Sequence, residues 1–350
     1  MERFLENTKW FWNKYLPYRL KKRIKRYLRR VNKKKKNENR VQVVIDHTGW
    51  TRKEAIQNMD RAKELLGADY QDYVNYHFWE LDEETQATYI TKEDTDALRD
   101  KYNTDKRGIR HFWNKRMFNE TFEKYLGRTW LKTQSMSLEE FKTKFANEEK
   151  IIYKPLLACC GRGIAVFELN QGNMEDVYNK ITKFPNGVIE GYLKQHAQMC
   201  KLSKKSVNTI RIISLRAFGE VNLLYATCRM GGGDSLVDNF HAGGVLALVD
   251  IQKGELATEA IDINGKAYDK HPVTQEKIVG FQIPYWNEIV KMIKEAAIIV
   301  DGVGCVGWDV AITENGPVLI EGNSAPSHYG LQMHYARQKK GMKHIIQKYL

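Results

Sequence analysis

Apolar positions recur at three- and four-residue spacing through Ala55, Met59, Ala62 and Leu65, which predicts an amphipathic helix. Thr51-Arg-Lys-Glu54 reads as its capping box and Gly67 as its end. Tyr70, Tyr73, Tyr76, Phe78 and Trp79 continue a helical texture towards Leu98, and an aromatic stripe of this kind predicts packing surface rather than a ligand site. After Arg110 the pattern changes. A helix over 114–125 is followed by short apolar or alternating runs bounded by Gly, Asn and Pro, which predict strands over 151–154, 163–168 and 187–193, with a helix over 174–184 between the last two. Strands over 210–217, 221–230 and 244–251, a helix over 284–299 and a closing strand pair complete an α+β pattern without internal repeats.

With 350 residues the chain is long enough for two or three structural units. Its net charge of +13 suggests nucleic-acid binding until the charge is located. Residues 1–40 carry 16 Lys and Arg against three Glu, and the remaining 310 residues hold 40 basic and 40 acidic side chains. The folded body is therefore neutral, and a nucleic-acid-binding face on it is not expected. Trp10, Phe11, Trp12, Tyr15, Leu16 and Tyr18 precede a basic run from Lys21 to Arg40, a composition suited to the face of an anionic membrane. A solvated, partly helical tail and a site for RNA or another partner are the alternatives. No apolar run reaches spanning length. The five cysteines lack metal-ligand spacing, and their odd number argues against a full disulfide framework, so a reducing cytoplasm is expected, with the inner membrane face as the point of attachment. Cys159 and Cys160, adjacent in an apolar run, read as buried small hydrophobes.

The candidate chemistry lies in the final strand pair, Val306 to Asn323, with a turn at Glu314-Asn315-Gly316. A three-residue loop with Gly316 in the left-handed position sets Asp309 opposite Glu321, and Asn323 shares the face of Glu321. Three oxygen-bearing side chains then converge from apolar strands, where an unpaired carboxylate costs several kcal/mol, on the order of what one lost charge partner is worth. A hard divalent cation such as Mg²⁺ suits them. An internal Lys or Arg partner is the structural alternative, and it would remove the need for a metal. Arg211, in the alternating run Ser206-Val-Asn-Thr-Ile-Arg-Ile-Ile-Ser-Leu215, itself needs an anionic partner, phosphate or carboxylate.

Asp309, Glu321 and Asn323 resemble the metal-binding end of the ATP-grasp fold, whose members carry Asp on one strand and Glu-x-Asn on the next. The order of other segments is similar. Lys154 ends a strand and Gly161-Arg162-Gly163 follows as a glycine turn, which the resemblance implies is a lid over nucleotide phosphates. Lys115, preceded by Asn114 where the family commonly has Asp, resembles an earlier nucleotide-contacting lysine. Val188 to Leu193 resembles the hinge framing adenine, with Glu190 accepting from the exocyclic amine, the Leu193 backbone supplying further contacts, and Gln195 or His196 touching ribose. Arg211 resembles the arginine that stabilises an acyl phosphate. Arg229, Asn239, Gly243 and Gly244 match substrate and phosphate contacts of ribosomal-protein glutamate ligases, and His241 has no firm counterpart.

The Glu-x-Tyr-x-x-Gln-His run at 190–196, Ser-Val-Asn-Thr-Ile-Arg at 206–211 and the helical lead-in at 68–76 are most similar to sugar-transfer-associated ATP-grasp proteins, over about residues 45–335. The resemblance implies two α+β lobes sandwiching ATP: a basic aromatic tail (1–40), a helical N-terminal region (41–110) in place of the usual Rossmann-like leading domain, a linker helix and lid (111–193) and a large subdomain with the metal site (194–350). It implies ATP and Mg²⁺, with Mn²⁺ as an alternative ion, and an amide formed from small carboxylate and amine substrates through an acyl phosphate. A sugar or lipid-linked glycan precursor of a surface polysaccharide is the implied substrate. Phosphoryl transfer to a sugar hydroxyl and a non-enzymatic membrane or RNA adaptor are the rival readings.

Overall fold

The computed structural model describes residues 18–157, 162–232 and 243–350. The chain forms two compact units, one of Met1–Ala87 with Thr91–Glu93, the other of Thr88–Ile90 with Asp94–Leu350.

The first unit is helical. Tyr18–Thr48 is one continuous helix of 31 residues, so the expected boundary between residues 40 and 41 falls inside it. Residues 26–36 of this helix are exposed and mostly basic, whereas Val41 and Val44 are buried; the change from tail to body is a change of burial, not of backbone. The helix Arg52–Leu66 starts and stops where expected: the Thr51 and Glu54 side chains cap each other's backbone N–H, and Gly67 takes φ 68°. The aromatic segment breaks up into the short helix Tyr70–Asn75 and a 3₁₀ turn Phe78–Glu80, with Tyr73, Tyr76 and Phe78 buried.

The second unit contains two antiparallel sheets. The smaller has four strands in the order β1-β4-β2-β3, where β1 is Trp130–Lys132, β2 Lys150–Pro155, β3 Ala165–Glu168 and β4 Gly187–Gly191. Helices Leu138–Lys144 and Met174–Ile181 cover it through Phe141, Phe145, Val177 and Ile181. The larger sheet is built from β5 (Thr209–Ala217), β6 (Glu220–Met230), β7 (Val245–Asp250), β8 (Glu255–Leu256), β9 (Ala260–Ile261), β10 (Ala267–Tyr268), β11 (Cys305–Thr313) and β12 (Gly316–Asn323). Its order is β10-β9-β7-β6-β5-β11-β12, with β8 on β7. Helix Trp286–Ala296 packs on one face, together with Phe112, Phe118 and Phe122, around the fully buried Trp308, whose indole N–H donates to Ser214 Oγ at 2.8 Å. Among the described residues no helix is long and apolar enough to cross a membrane.

Candidate active site

Three neighbouring strands place one charged residue each in a single row. Arg211 on β5 is registered with Asp309 on β11, and Asp309 with Glu321 on β12. Laterally paired residues project from the same face of a sheet, so the three side chains emerge together. The turn is tighter than expected. Thr313 pairs with Gly316, leaving two turn residues, and a bulge that leaves Ile320 of β12 unpaired opposite the Asp309–Val310 step restores the expected opposition of Asp309 and Glu321. Asn323 follows on the same face, half-buried, with its Oδ1 accepting from the Ala325 N–H at 2.9 Å.

The charges in the row are not independent. Arg211 grips Asp309 in a bidentate ion pair, through Nε to Oδ1 and Nη2 to Oδ2, and Arg229 Nη1 stands 3.5 Å from Asp309 Oδ1. The internal cation expected as the alternative to a metal is therefore present for Asp309, and the anionic partner that Arg211 needs is this carboxylate. Burial works to raise the pKa of Asp309, and the guanidinium groups of Arg211 and Arg229 more than reverse this, holding it below the usual carboxylate range. Glu321 opens to solvent. The surrounding protein and then the adjacent Asp309 charge push its carboxyl above the usual range, against the opposing charges of Arg211, Lys115 and Lys154.

That response is the test of whether a divalent ion fits. Glu321 is a carboxylate incompletely neutralised by its surroundings, it opens outward beside a second carboxylate and the Asn323 amide oxygen, and each carboxylate oxygen of Asp309 has a second lone pair beyond the one used by Arg211. One or two carboxylates completed by phosphate oxygens are what Mg²⁺ ordinarily takes. The residues fit, with Glu321 the open ligand and Asp309 a shared one.

A second charged cluster sits on the smaller sheet. Lys154, at the end of β2, donates to Glu190 Oε2 at 2.7 Å. Glu190, the fourth of the five residues of β4, is 2% exposed and also accepts from Arg128 Nε at 2.8 Å and from Asn119 Nδ2 at 2.9 Å. Where Glu190 is expected to accept from an adenine amine, three protein donors stand instead: Lys154, Arg128 and Asn119 occupy the two carboxylate oxygens. Burial would raise its pKa, but Arg128 and Lys154 hold it well below the ordinary range; burial holds Lys154 below its own, against the attraction of Glu190. Arg128 and Asn119 were missed by sequence reasoning, since an arginine two residues before a short strand carries no local signal.

Lys115 opens helix Lys115–Thr121, which Asn114 caps by accepting from the N–H groups of Arg116 and Met117 at 3.0 and 3.2 Å. Asn serves at that position as well as the Asp of the family pattern. The positive charge of Lys115 opposes the upward shift of the Glu321 carboxyl. Arg162 and Gly163 (φ 74°) are exposed at the turn before β3, and Gly161 lies outside the described residues, as do Cys159 and Cys160. Leu193 is half-buried and lines a cavity of about 240 Å³ with Glu148, Lys150, Tyr192, Gln195 and Lys205. His196 is placed apart from the row, at the β11–β12 turn: Nδ1 caps the next helical turn, Nε2 is 3.5 Å from Glu314, and its N–H donates to the Ile312 carbonyl. Gln195 is committed to Asn208 and the Ser203 carbonyl. Gly243 (φ 90°) and Gly244 are drawn beside Gly231 and Gly232, because Met230 pairs with Val245; a Cβ on Gly232 would stand 1.7 Å from the Gly243 carbonyl oxygen. Asn239 and His241 lie outside the described residues.

Residues 98–348 match the family described as sugar-transfer associated ATP-grasp. The chain belongs to this family. No curated protein matches it. Solved structures similar to this ATP-grasp protein include an ADP complex of N5-carboxyaminoimidazole ribonucleotide synthetase (PurK), at 12% identity and TM-score 0.40, over 65% of this chain and 51% of that one. The ADP-bound N5-carboxyaminoimidazole synthetase of Staphylococcus aureus matches at 12% and 0.43 over 73% and 60%, and the D-alanyl-alanine synthetase A of Vibrio cholerae at 10% and 0.39 over 68% and 63%. The ATP-grasp chain spans about half to two thirds of the length of these structures.

Proposed function

We propose that this ATP-grasp protein is a Mg²⁺- and ATP-dependent ligase that joins a carboxylate to an amine, activating the acid as an acyl phosphate. The lateral row Arg211–Asp309–Glu321 carries the reading, because it sets two carboxylates for a cation beside two guanidinium groups for an anion. Glu321, Asp309 and Asn323 would hold Mg²⁺, or Mn²⁺ in its place, and the ion would supply charge neutralisation on the phosphates. Lys115 and Lys154 hold phosphate oxygens, and the Arg162–Gly163 turn closes over them through backbone N–H groups. The Leu193 backbone faces adenine, and His196 lies at the outer edge of the nucleotide. Arg211 and Arg229 stabilise charge on the transferred phosphoryl group and on the tetrahedral centre that follows, where fixed cations do most of the work. Asn239, Gly243 and Gly244 bind substrate. Lid closure excludes the water that would hydrolyse the acyl phosphate.

The substrates are an amino acid and a sugar or lipid-linked glycan precursor, and the basic stretch within residues 1–40 holds the enzyme at the cytoplasmic membrane face. The full-length protein, supplied with MgATP, a panel of amino acids and amino or carboxy sugars, is expected to release ADP only when a carboxylate and an amine are both present. ADP release with a sugar hydroxyl as the sole acceptor overturns ligation in favour of a kinase.

A further inference from the structure

Arg128, Glu190 and Lys154 form a buried triad with two cations and one anion. The side chains are 3%, 2% and 12% exposed, and all three charges meet at Glu190 Oε2, which accepts from Arg128 Nε at 2.8 Å and from Lys154 Nζ at 2.7 Å. One positive charge is left over. Burying an uncompensated charge is costly unless an opposite charge arrives. Lys154 is the more exposed of the two cations and sits at the strand end, and the charge of Glu321 acts on it. Arg128 cannot leave: its Nη1 donates to the carbonyls of Leu126 (3.0 Å) and Leu319 (2.7 Å), which ties β12 of the larger sheet to β4 of the smaller.

From this geometry we infer that Arg128 is a positioning residue for phosphate binding: it neutralises Glu190 permanently, so that Lys154 keeps a charge to give to a polyphosphate. With Arg128 absent, Glu190 and Lys154 close as a neutral pair and the surplus is lost. The inference rests on the nucleotide reading above only for the identity of the ligand. Its own content is that the net charge of the triad, rather than the presence of an arginine, sets the affinity.

Charge balance and simple bracing of the sheets are separable by rescue. Binding of a non-hydrolysable ATP analogue with Mg²⁺, and of inorganic tripolyphosphate, is measured by calorimetry on the full-length chain and on Arg128→Gln, Arg128→Lys, Lys154→Gln and the double variant Arg128→Gln/Glu190→Gln. Arg128→Gln is expected to bind at least tenfold more weakly, Arg128→Lys to lie within about threefold of wild type, and the double variant, where Lys154 again has a free charge, to recover to within about threefold. A double variant that stays as weak as Arg128→Gln while folded overturns the inference and leaves Arg128 a brace. Tripolyphosphate binding that follows the same pattern without any preference for the adenine nucleotide supports the inference while removing the nucleotide reading; a wild type that binds neither probe removes both.

Discussion

Asp309 and Glu321 oppose each other across β11 and β12 although five residues lead from Gly316 to Glu321 and only four from Asp309 to Thr313. The extra residue on β12 is taken up by the bulge, and beyond it Glu321 faces outward while Asp309 is clasped by Arg211.

The two carboxylates should therefore respond differently to neutralisation. Asp309→Asn leaves the guanidinium of Arg211, only 12% exposed, without its bidentate partner, and is expected to cost about 3–5 kcal/mol of stability. Glu321→Gln removes a charge that its surroundings disfavour and is expected to stay within about 0.5 kcal/mol of wild type. Both should abolish Mg²⁺-dependent nucleotide binding. Denaturant unfolding with nucleotide titration checks this, and a Glu321→Gln loss as large as that of Asp309→Asn would make Glu321 structural and remove the metal assignment.

Asn114 couples a helix cap to the candidate nucleotide lysine. Asn114→Ala is expected to cost about 1 kcal/mol through two lost cap acceptances and to weaken nucleotide binding by loosening Lys115, whereas Asn114→Asp should keep both. Equal nucleotide affinity of Ala and Asn forms would separate Lys115 from the phosphates.

Asp72 sets a pH dependence in the helical unit. Burial and then the neighbouring Asp69 carboxylate push it up to about 7, although the N–H groups of Asp69 and Lys92 donate to it. A carboxyl whose folded pKa exceeds its unfolded value of about 3.9 binds its proton more tightly when folded, so its contribution is complete below pH ~4 and is lost as pH rises towards 7. Thermal melts should show wild type losing more stability between pH 5 and pH 8 than Asp72→Asn, and parallel pH profiles would exclude the effect.

Lys33, Lys34, Lys35 and Lys36 are exposed on a helix that continues into the folded unit, where Arg40 reaches Gln71 and Glu38 pairs with Arg52. Truncation at residue 41 would damage that unit. Changing the four lysines to Gln in the full chain is the cleaner test: at about 1 kcal/mol each beside anionic lipid, vesicle flotation should fall at least about 100-fold, and unchanged flotation would exclude attachment through this stretch.

Local chemistry made much of this architecture readable. The capping box at Thr51 and the strands around Arg211, Arg229 and Asp309 followed from spacing, because caps and alternation are set by near neighbours. The α+β pattern and the ATP-grasp resemblance hold over the matched region. What sequence could not supply were the long-range partners. Nothing near Glu190 in the chain announces Asn119, Arg128 or Lys154 as its donors. Arg211 called for an anion, and the choice of Asp309 was made by strand register over 98 residues of separation. The two-residue turn and its compensating bulge were likewise invisible, since one cancels the other in the pairing of Asp309 with Glu321.

Because Arg211, Asp309 and Glu321 occupy adjacent rungs rather than one loop, the ladder itself acts as their ruler: each step is about 4.8 Å, fixed by backbone hydrogen bonds. Lengthening the Glu314–Asn315 connection leaves that ruler untouched, so an insertion there should disturb what Glu314 holds at the tip, namely His196, the Ala197 N–H and the Tyr285 hydroxyl, without retuning the charges four rungs away.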